Sequence, residues 1–168
     1  MEKICTQVYH APCGDLILGS YEGKLCLCLW KDGAHNEFIE RRLRRDLNAV
    51  VVEEPSGVTK RAVEELSEYF AGKRKEFDLP LLFVGTDFQK KVWEGLCKIP
   101  YGETVSYGAQ AERLGCPKAV RAVATANGAN AIAVFVPCHR VLGSDGSMTG
   151  YAGGLDVKRF LLSLEKSA

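Results

Sequence analysis

The sequence predicts an α+β protein. A small N-terminal domain holds a three-stranded antiparallel sheet and helices, and a mostly helical C-terminal domain with a helix-turn-helix follows. Three observations carry this. Short strand-like runs separated by turn signals crowd residues 7–30. Helical periodicity dominates from residue 58 onward, with small residues in the later helices. An extended stretch bearing Pro80 separates the two regimes, so the domains are expected at residues 1–84 and 85–168.

The bulk composition allows this reading. The chain has 168 residues, of which 46% are apolar or aromatic and 26% charged, so it can bury a real core. That balance excludes a disordered, collagenous or rod-like chain. No apolar run approaches the ~20 residues of a membrane helix, and the first residues lack a secretory apolar stretch. The seven cysteines, an odd number, suggest reduced thiols and a cytoplasmic setting, or a nuclear one in a eukaryote. Residues 1–86 carry 12 Lys/Arg and 14 Asp/Glu, and residues 87–168 carry 10 and 7. The second half is therefore mildly basic, which permits a nucleic-acid face.

Taken in order, residues 7–10, 15–20 and 24–30 read as strands of a meander with turns at residues 12–15 and 21–24. Cys26 and Cys28 share a strand face and read as small core residues. Residues 37–47 form an amphipathic helix with apolar Phe38, Ile39, Leu43 and Leu47. Its Arg41, Arg42, Arg44 and Arg45 alternate with acids and read as a solvated face. Residues 58–71 form a second helix, stopped by Gly72. Residues 77–84 form an extended crossing.

Thr86 is a suitable N-cap for a helix over residues 88–98. Thr104 or Ser106 caps a helix reaching about Leu114, and Pro117 suits the first turn of the next, over residues 118–127. Two short helices with a tight glycine-containing connection make a helix-turn-helix pattern. Residues 131–136 read as a buried strand running into Pro137-Cys138-His139-Arg140-Val141. Asp156 caps a last helix over residues 157–165.

Cys138 stands apart from the other six cysteines. A neighbouring His139 and Arg140 favour the thiolate, the nucleophilic form. The following glycine-rich segment lets backbone groups approach a flat ligand. A buried core cysteine is the alternative. Val157, Leu161 and Glu165 fall on one helical stripe, so Glu165 lies in line with the buried face and can orient a histidine. A frayed, exposed glutamate is the alternative there.

Val136-Pro137-Cys138-His139-Arg140-Val141 resembles the active-site signature of the O6-alkylguanine-DNA alkyltransferases, the methylated-DNA–protein-cysteine methyltransferases. Tyr101-Gly102-Glu103-Thr104-Val105-Ser106-Tyr107 is similar to the start of that family's helix-turn-helix. Pro117-Lys118-Ala119-Val120-Arg121-Ala122-Val123 is similar to its recognition helix. Asn130, Gly150-Tyr151-Ala152-Gly153-Gly154-Leu155 and residues 158–165 complete a likeness that covers residues 85–166.

The resemblance implies a mechanism. An alkylated guanine is flipped out of duplex DNA and its alkyl group passes irreversibly to Cys138, once per molecule. O4-alkylthymine is an expected second substrate. His139 is implied to be the base, acting through a water, with Glu165 orienting it and Asn130 tying the helices to the Cys138 segment. Arg121 is implied to enter the minor groove and fill the vacated space, with Ala119, Ala122 and Ser106 beside the DNA. Without the resemblance, Arg121 reads as a solvated helix charge. Tyr107 is implied to turn the nucleotide and to donate to guanine N3; its own reading is a hydroxyl at the edge of the helix packing.

Arg140, Val141, Tyr151, Ala152 and Gly153 are implied to form the base pocket, through the Cys138 and Val141 carbonyls and the Ala152 amide. Ala152 stands where many members have Ser, Ala131 and Ala133 where some have Pro, and Asn127 where some have a large apolar residue. The donor is the DNA itself, so no cofactor is expected. Cys5 matches one ligand of a zinc site seen in some relatives, but His10 and His35 read as surface residues and no metal is expected. The expected partner is double-stranded DNA carrying O6-alkylguanine, met by a monomer that binds no membrane. Two alternatives stand beside this: a non-catalytic sensor of alkylated DNA, and a Cys-His hydrolase.

Overall fold

The computed structural model describes residues 2–167. Strands β1 (Glu2–Ala11), β2 (Gly14–Tyr21) and β3 (Lys24–Trp30) form the expected antiparallel meander. The β2–β3 turn places Glu22 and Gly23 at φ +47° and +79°, the left-handed pair that a two-residue hairpin matching strand twist requires. Helix α1 (Asn36–Leu47) then crosses over, and a fourth strand, β4 (Ala49–Val52), adds to the sheet parallel to β1. The order is β3-β2-β1-β4, so the sheet is one strand wider than expected. Four residues are too short a run to announce a strand, and a parallel neighbour requires a crossover that no local turn signals.

Helix α2 (Gly57–Phe70) covers the sheet with Ala62, Leu66 and Tyr69. It starts at a reciprocal cap between Ser56 and Thr59 and stops before Gly72, whose φ is +76°. Helix α1 departs from expectation in what it buries. Phe38 is 72% exposed, whereas Arg42 is buried. The Arg42 guanidinium donates to the Ala129 carbonyl at 3.0 Å and lies 5.4 Å from the centroid of the Trp93 ring. Arg42 is therefore not part of a solvated face; only Arg41, Arg44 and Arg45 are, each paired with an acid.

Strand β3 is buried from Leu25 to Trp30, because later parts of the chain cover its free edge. Leu25 exchanges backbone hydrogen bonds with Pro80 and Leu82 in the expected crossing segment. Cys28 exchanges them with Ala131 and Ala133. The second half is thus sewn directly onto the sheet.

Helix α3 (Asp87–Leu96) begins at Thr86, which exchanges caps with Gln89. Residues Val105–Ser106 (β5) pair in parallel with Val141–Leu142 (β6). Ser106 caps α4 (Tyr107–Arg113), and Gly115 at φ +78° turns the chain toward α5 (Val120–Gly128). Pro117 and Lys118 lie in that turn, not inside α5. Helix α6 (Leu155–Ser167) closes the described chain; it starts earlier than expected, so Asp156 lies inside its first turn and does not cap it.

Residues 131–136 are not a strand. Only the bridge to Cys28 is sheet-like; beyond it the chain coils through tight turns, with Val134 at φ +70°. A β-branched residue there is strained. Asn130 holds the coil shut: its Nδ2 donates to the Val136 carbonyl at 2.9 Å and its Oδ1 accepts from the Ile132 amide at 2.9 Å. Apolar composition marks the burial but does not show that β3 reaches only Ala131 and Ala133, with local turns and the Asn130 side chain satisfying the backbone beyond them.

Leu66 is fully buried between α2 and the sheet. Leu66→Ala should lower the unfolding free energy by about 2–5 kcal/mol. Phe38→Ser on exposed α1 surface should change it by no more than about 0.5 kcal/mol. Urea melts monitored by circular dichroism would compare the two.

Candidate active site

Cys138, His139 and Arg140 form a single 3-10 turn after the coiled segment, and β6 follows at once. The strand expected to carry Cys138 is thus replaced by a turn braced by Asn130. Asn130 Nδ2 also donates to Cys138 Sγ at 3.3 Å. One amide therefore holds both the local backbone and the thiol.

Glu165 is the hub of the site. It is 3% exposed, on the inward stripe of α6. Its Oε2 accepts from His139 Nε2 at 2.7 Å, from the Tyr69 hydroxyl at 2.6 Å and from Arg140 Nη2 at 3.0 Å. Its Oε1 accepts from Arg140 Nε at 2.8 Å and from the Gly102 amide at 3.4 Å. Burial alone pushes the carboxyl up, but the bonds from His139, Arg140 and Tyr69 outweigh it and hold the group well below the carboxylate range.

Burial drives His139 the other way. Its pKa falls below the ordinary 6.5 despite the adjacent carboxylate, so the ring is neutral near pH 7. An ionised carboxylate only accepts, so Nε2 carries the ring proton. Nδ1 is then a lone-pair acceptor. It is buried and has no partner among the described residues. The site therefore presents a base with its proton-accepting nitrogen free and its other nitrogen anchored on a carboxylate.

The Cys138 thiol is raised by burial, and the Asn130 bond and the Lys158 ammonium pull it partly back. Cys138 thus rests as a thiol. The expectation that His139 and Arg140 would supply positive charge does not hold: His139 is neutral and Arg140 is spent on Glu165. The cation acting on the sulfur is Lys158, which sequence reasoning missed. It is fully buried on α6, with Nζ donating to the Val141 and Thr149 carbonyls at 2.8 and 3.0 Å. Its sequence signal is faint, a lysine one position past Val157 on an amphipathic helix.

A cavity of about 300 Å³ opens beside Cys138. Tyr107 lines it from α4, and Ala124, Asn127 and Gly128 line it from α5. Asn130, Ala133, Gly150, Tyr151 and Ala152 add the coil and the glycine-rich loop. Leu29, Trp30 and His35 reach in from the N-terminal half, and none of them was singled out from sequence as lining a pocket. His35 is exposed, as expected, but at the cavity mouth. Asn127 is locked by a reciprocal amide pair with Gln110, both bonds 2.8 Å, which joins α4 to α5.

Three residues expected in this pocket lie elsewhere. Arg140 faces a separate cleft with Tyr101 and Phe135 because Glu165 and the Ile99 carbonyl claim its guanidinium. Val141 is buried in β6, with its carbonyl on Lys158. Gly153 packs on the Trp30 indole. On α5, Arg121 and Ala122 are exposed and Ala119 half-buried. Arg121 stands one turn before Ala124, on the face that reaches the cavity, and has no carboxylate partner among the described residues. The Ser106 hydroxyl is engaged as the α4 cap, accepting from the Ala109 amide at 3.0 Å.

Two family models match the chain. Residues 87–167 match the DNA-binding domain of 6-O-methylguanine DNA methyltransferase, and residues 4–83 match its ribonuclease-like domain. A methylated-DNA–protein-cysteine methyltransferase of Methanosarcina barkeri is 44% identical over 95% of this chain and 96% of its own. The chain belongs to the 6-O-methylguanine DNA methyltransferase family. An inducible family member of Bacillus subtilis is 47% identical over 79% of this chain and 73% of its own. The crystal structure of Mycobacterium tuberculosis OGT in complex with DNA superposes with a TM-score of 0.83 at 41% identity, covering 98% of this chain and 94% of that one.

Glu165→Gln leaves Arg140 as a buried charge without its counter-ion, and near neutral pH should lower stability by about 3–5 kcal/mol. A carboxyl held below its ordinary 4.5 stabilises the fold above that value and ceases to as pH falls through and beneath it. The gap between wild type and variant in urea melts should therefore narrow once pH drops below about 4.5. A gap independent of pH would assign the loss to packing.

Proposed function

We propose that this protein repairs O6-alkylguanine in duplex DNA by transferring the alkyl group to its own Cys138. The observation that carries this is a cysteine at the wall of a cavity, next to a neutral histidine whose free nitrogen is buried and whose other nitrogen is fixed on Glu165. Family membership supplies the substrate class, since the relatives are named for methylated DNA and protein cysteine.

The steps follow from the groups present. A base that stays stacked cannot bring its alkyl carbon in line with a sulfur in the wall of a cavity, so the nucleotide leaves the helix to enter it. Arg121, exposed on the face of α5 that leads to the cavity, occupies the gap; Tyr107 at the start of α4 guides the base. His139 Nδ1 accepts the Cys138 proton, directly or through a water, and Glu165 holds the imidazolium that forms. Sγ attacks the alkyl carbon, the carbon–oxygen bond breaks, and its electron pair goes to O6. The base takes up one proton and departs as guanine. Tyr107 and the Ala152 amide donate to N3 and O6, where charge gathers. The ammonium of Lys158 steadies the thiolate.

The product is a neutral thioether with no activated leaving group, so each molecule reacts once. No step draws on a cofactor or metal. Contacts through Arg121 and the small residues of α5 read backbone and groove, which predicts little sequence preference. No helix among the described residues is long and apolar enough to cross a membrane, and we place the protein, as a monomer, in the cytoplasm or nucleus, where its free thiols stay reduced.

Incubation with an oligonucleotide containing O6-methylguanine should add one CH2 per chain, and peptide mass spectrometry should locate it on Cys138. Cys138→Ala should bind the same DNA and gain nothing. Addition at another cysteine would move the nucleophile, and binding without addition would make the protein a sensor. Arg121→Ala should slow transfer from duplex DNA at least about tenfold, some 1.4 kcal/mol, while sparing reaction with the free modified base. Equal losses on both would remove Arg121 from base extrusion.

A further inference from the structure

The cavity wall supplied by the N-terminal half is built around one side chain. Trp30, the last residue of β3, is 5% exposed and lines the cavity. Its Nε1 donates to the Tyr151 hydroxyl at 3.0 Å. Its ring lies so close to Gly153 that a Cβ there would stand 2.5 Å from the indole Cδ1. The same corner is fastened twice more: Asn36 Nδ2 donates to the Trp30 carbonyl at 2.6 Å, and the Ala34 amide donates to the Ala152 carbonyl at 3.1 Å.

These contacts have a chemical consequence for Tyr151. Its oxygen accepts from Trp30, so one lone pair is committed and the hydroxyl is held in a fixed orientation. Its own hydrogen has no acceptor among the described residues, and the ring lines the cavity beside Cys138. A hydroxyl so placed can donate only to whatever enters. The same bond tethers the end of the Tyr151 ring, which lines the cavity beside the sulfur.

We propose that Trp30 is a specificity-determining positioning residue: through Tyr151 and Gly153 it aims a donor at the base and limits the size of the alkyl group that fits. This inference rests on the alkyl-transfer reading above. It makes the N-terminal half a working part of the site, selecting for short alkyl groups such as methyl over bulky ones such as benzyl.

The test uses the full-length protein, with DNA carrying O6-methylguanine or O6-benzylguanine and transfer to Cys138 followed by mass spectrometry. Trp30→Phe removes the N–H and keeps most of the wall. It should slow methyl transfer about tenfold with unchanged DNA affinity. Tyr151→Phe should do the same, and the double variant should be no slower than either single one, because both remove one chain of hydrogen bonds. Trp30→Ala should raise the benzyl-to-methyl rate ratio at least about fivefold by opening the wall. Gly153→Ala pushes the loop and the indole apart while leaving both aromatic residues in the sequence, and should slow methyl transfer too.

Additive losses from Trp30→Phe and Tyr151→Phe would overturn the proposal, as would a ratio unmoved in Trp30→Ala. Should Trp30→Ala fail to fold, the phenylalanine pair and Gly153→Ala decide alone. A wild-type protein that transfers nothing would remove the alkyl-transfer reading itself, whereas normal wild-type transfer with indifferent variants would remove only the role of Trp30.

Discussion

The carboxylate of Glu165 is the interaction on which the rest of the molecule depends. A buried anion is tolerable only when its oxygens are filled, and here three separate segments fill them: α2 through Tyr69, the turn at Gly102, and the 3-10 turn through His139 and Arg140, all meeting α6. The group is thus both a staple between the halves of the chain and the anchor of the His139 ring, the base in the proposed reaction. Stability and chemistry draw on the same oxygens, so a substitution there alters both at once.

The site separates its charges with care. The strong ion pair, Glu165 with Arg140, lies behind the histidine, away from the cavity. In front, His139 is neutral and the thiol protonated, and the one buried cation nearby is Lys158, bonded to carbonyls alone. A nucleophile stored in this way meets a proton acceptor and a positive field only a step from the reacting geometry. It is spared the reactivity of a standing thiolate.

Much of this was legible in the residue order. Periodicity located α1, α2, α3 and α6, and side-chain chemistry gave the cap at Thr86 and narrowed the α4 cap to Thr104 or Ser106, of which Ser106 is the one used. The stripe of Val157, Leu161 and Glu165 points the glutamate inward, and the contrast between Cys138 and the other six cysteines singles out the one that lines the main cavity. What stayed hidden depends on contacts across long stretches of chain. Strand β4 exists because α1 returns it beside β1. Residues 131–136 coil because Asn130 satisfies their backbone. Arg140 turns away from the cavity because Glu165, far along the chain, claims it. Trp30 and His35 line the cavity only because the two halves are sewn together along β3.

That seam has an optical consequence. The chain holds two tryptophans, Trp30 at the cavity wall and Trp93 deep between α3 and α5. Trp30 is coupled through its indole N–H to the glycine-rich loop that lines the cavity. Trp93 is buried, bonded to the Ala126 carbonyl, and does not line the cavity. The protein therefore carries one indole at the cavity and one away from it, so filling the cavity is expected to change the emission of Trp30 more than that of Trp93, an unlabelled signal for the proposed single-turnover reaction.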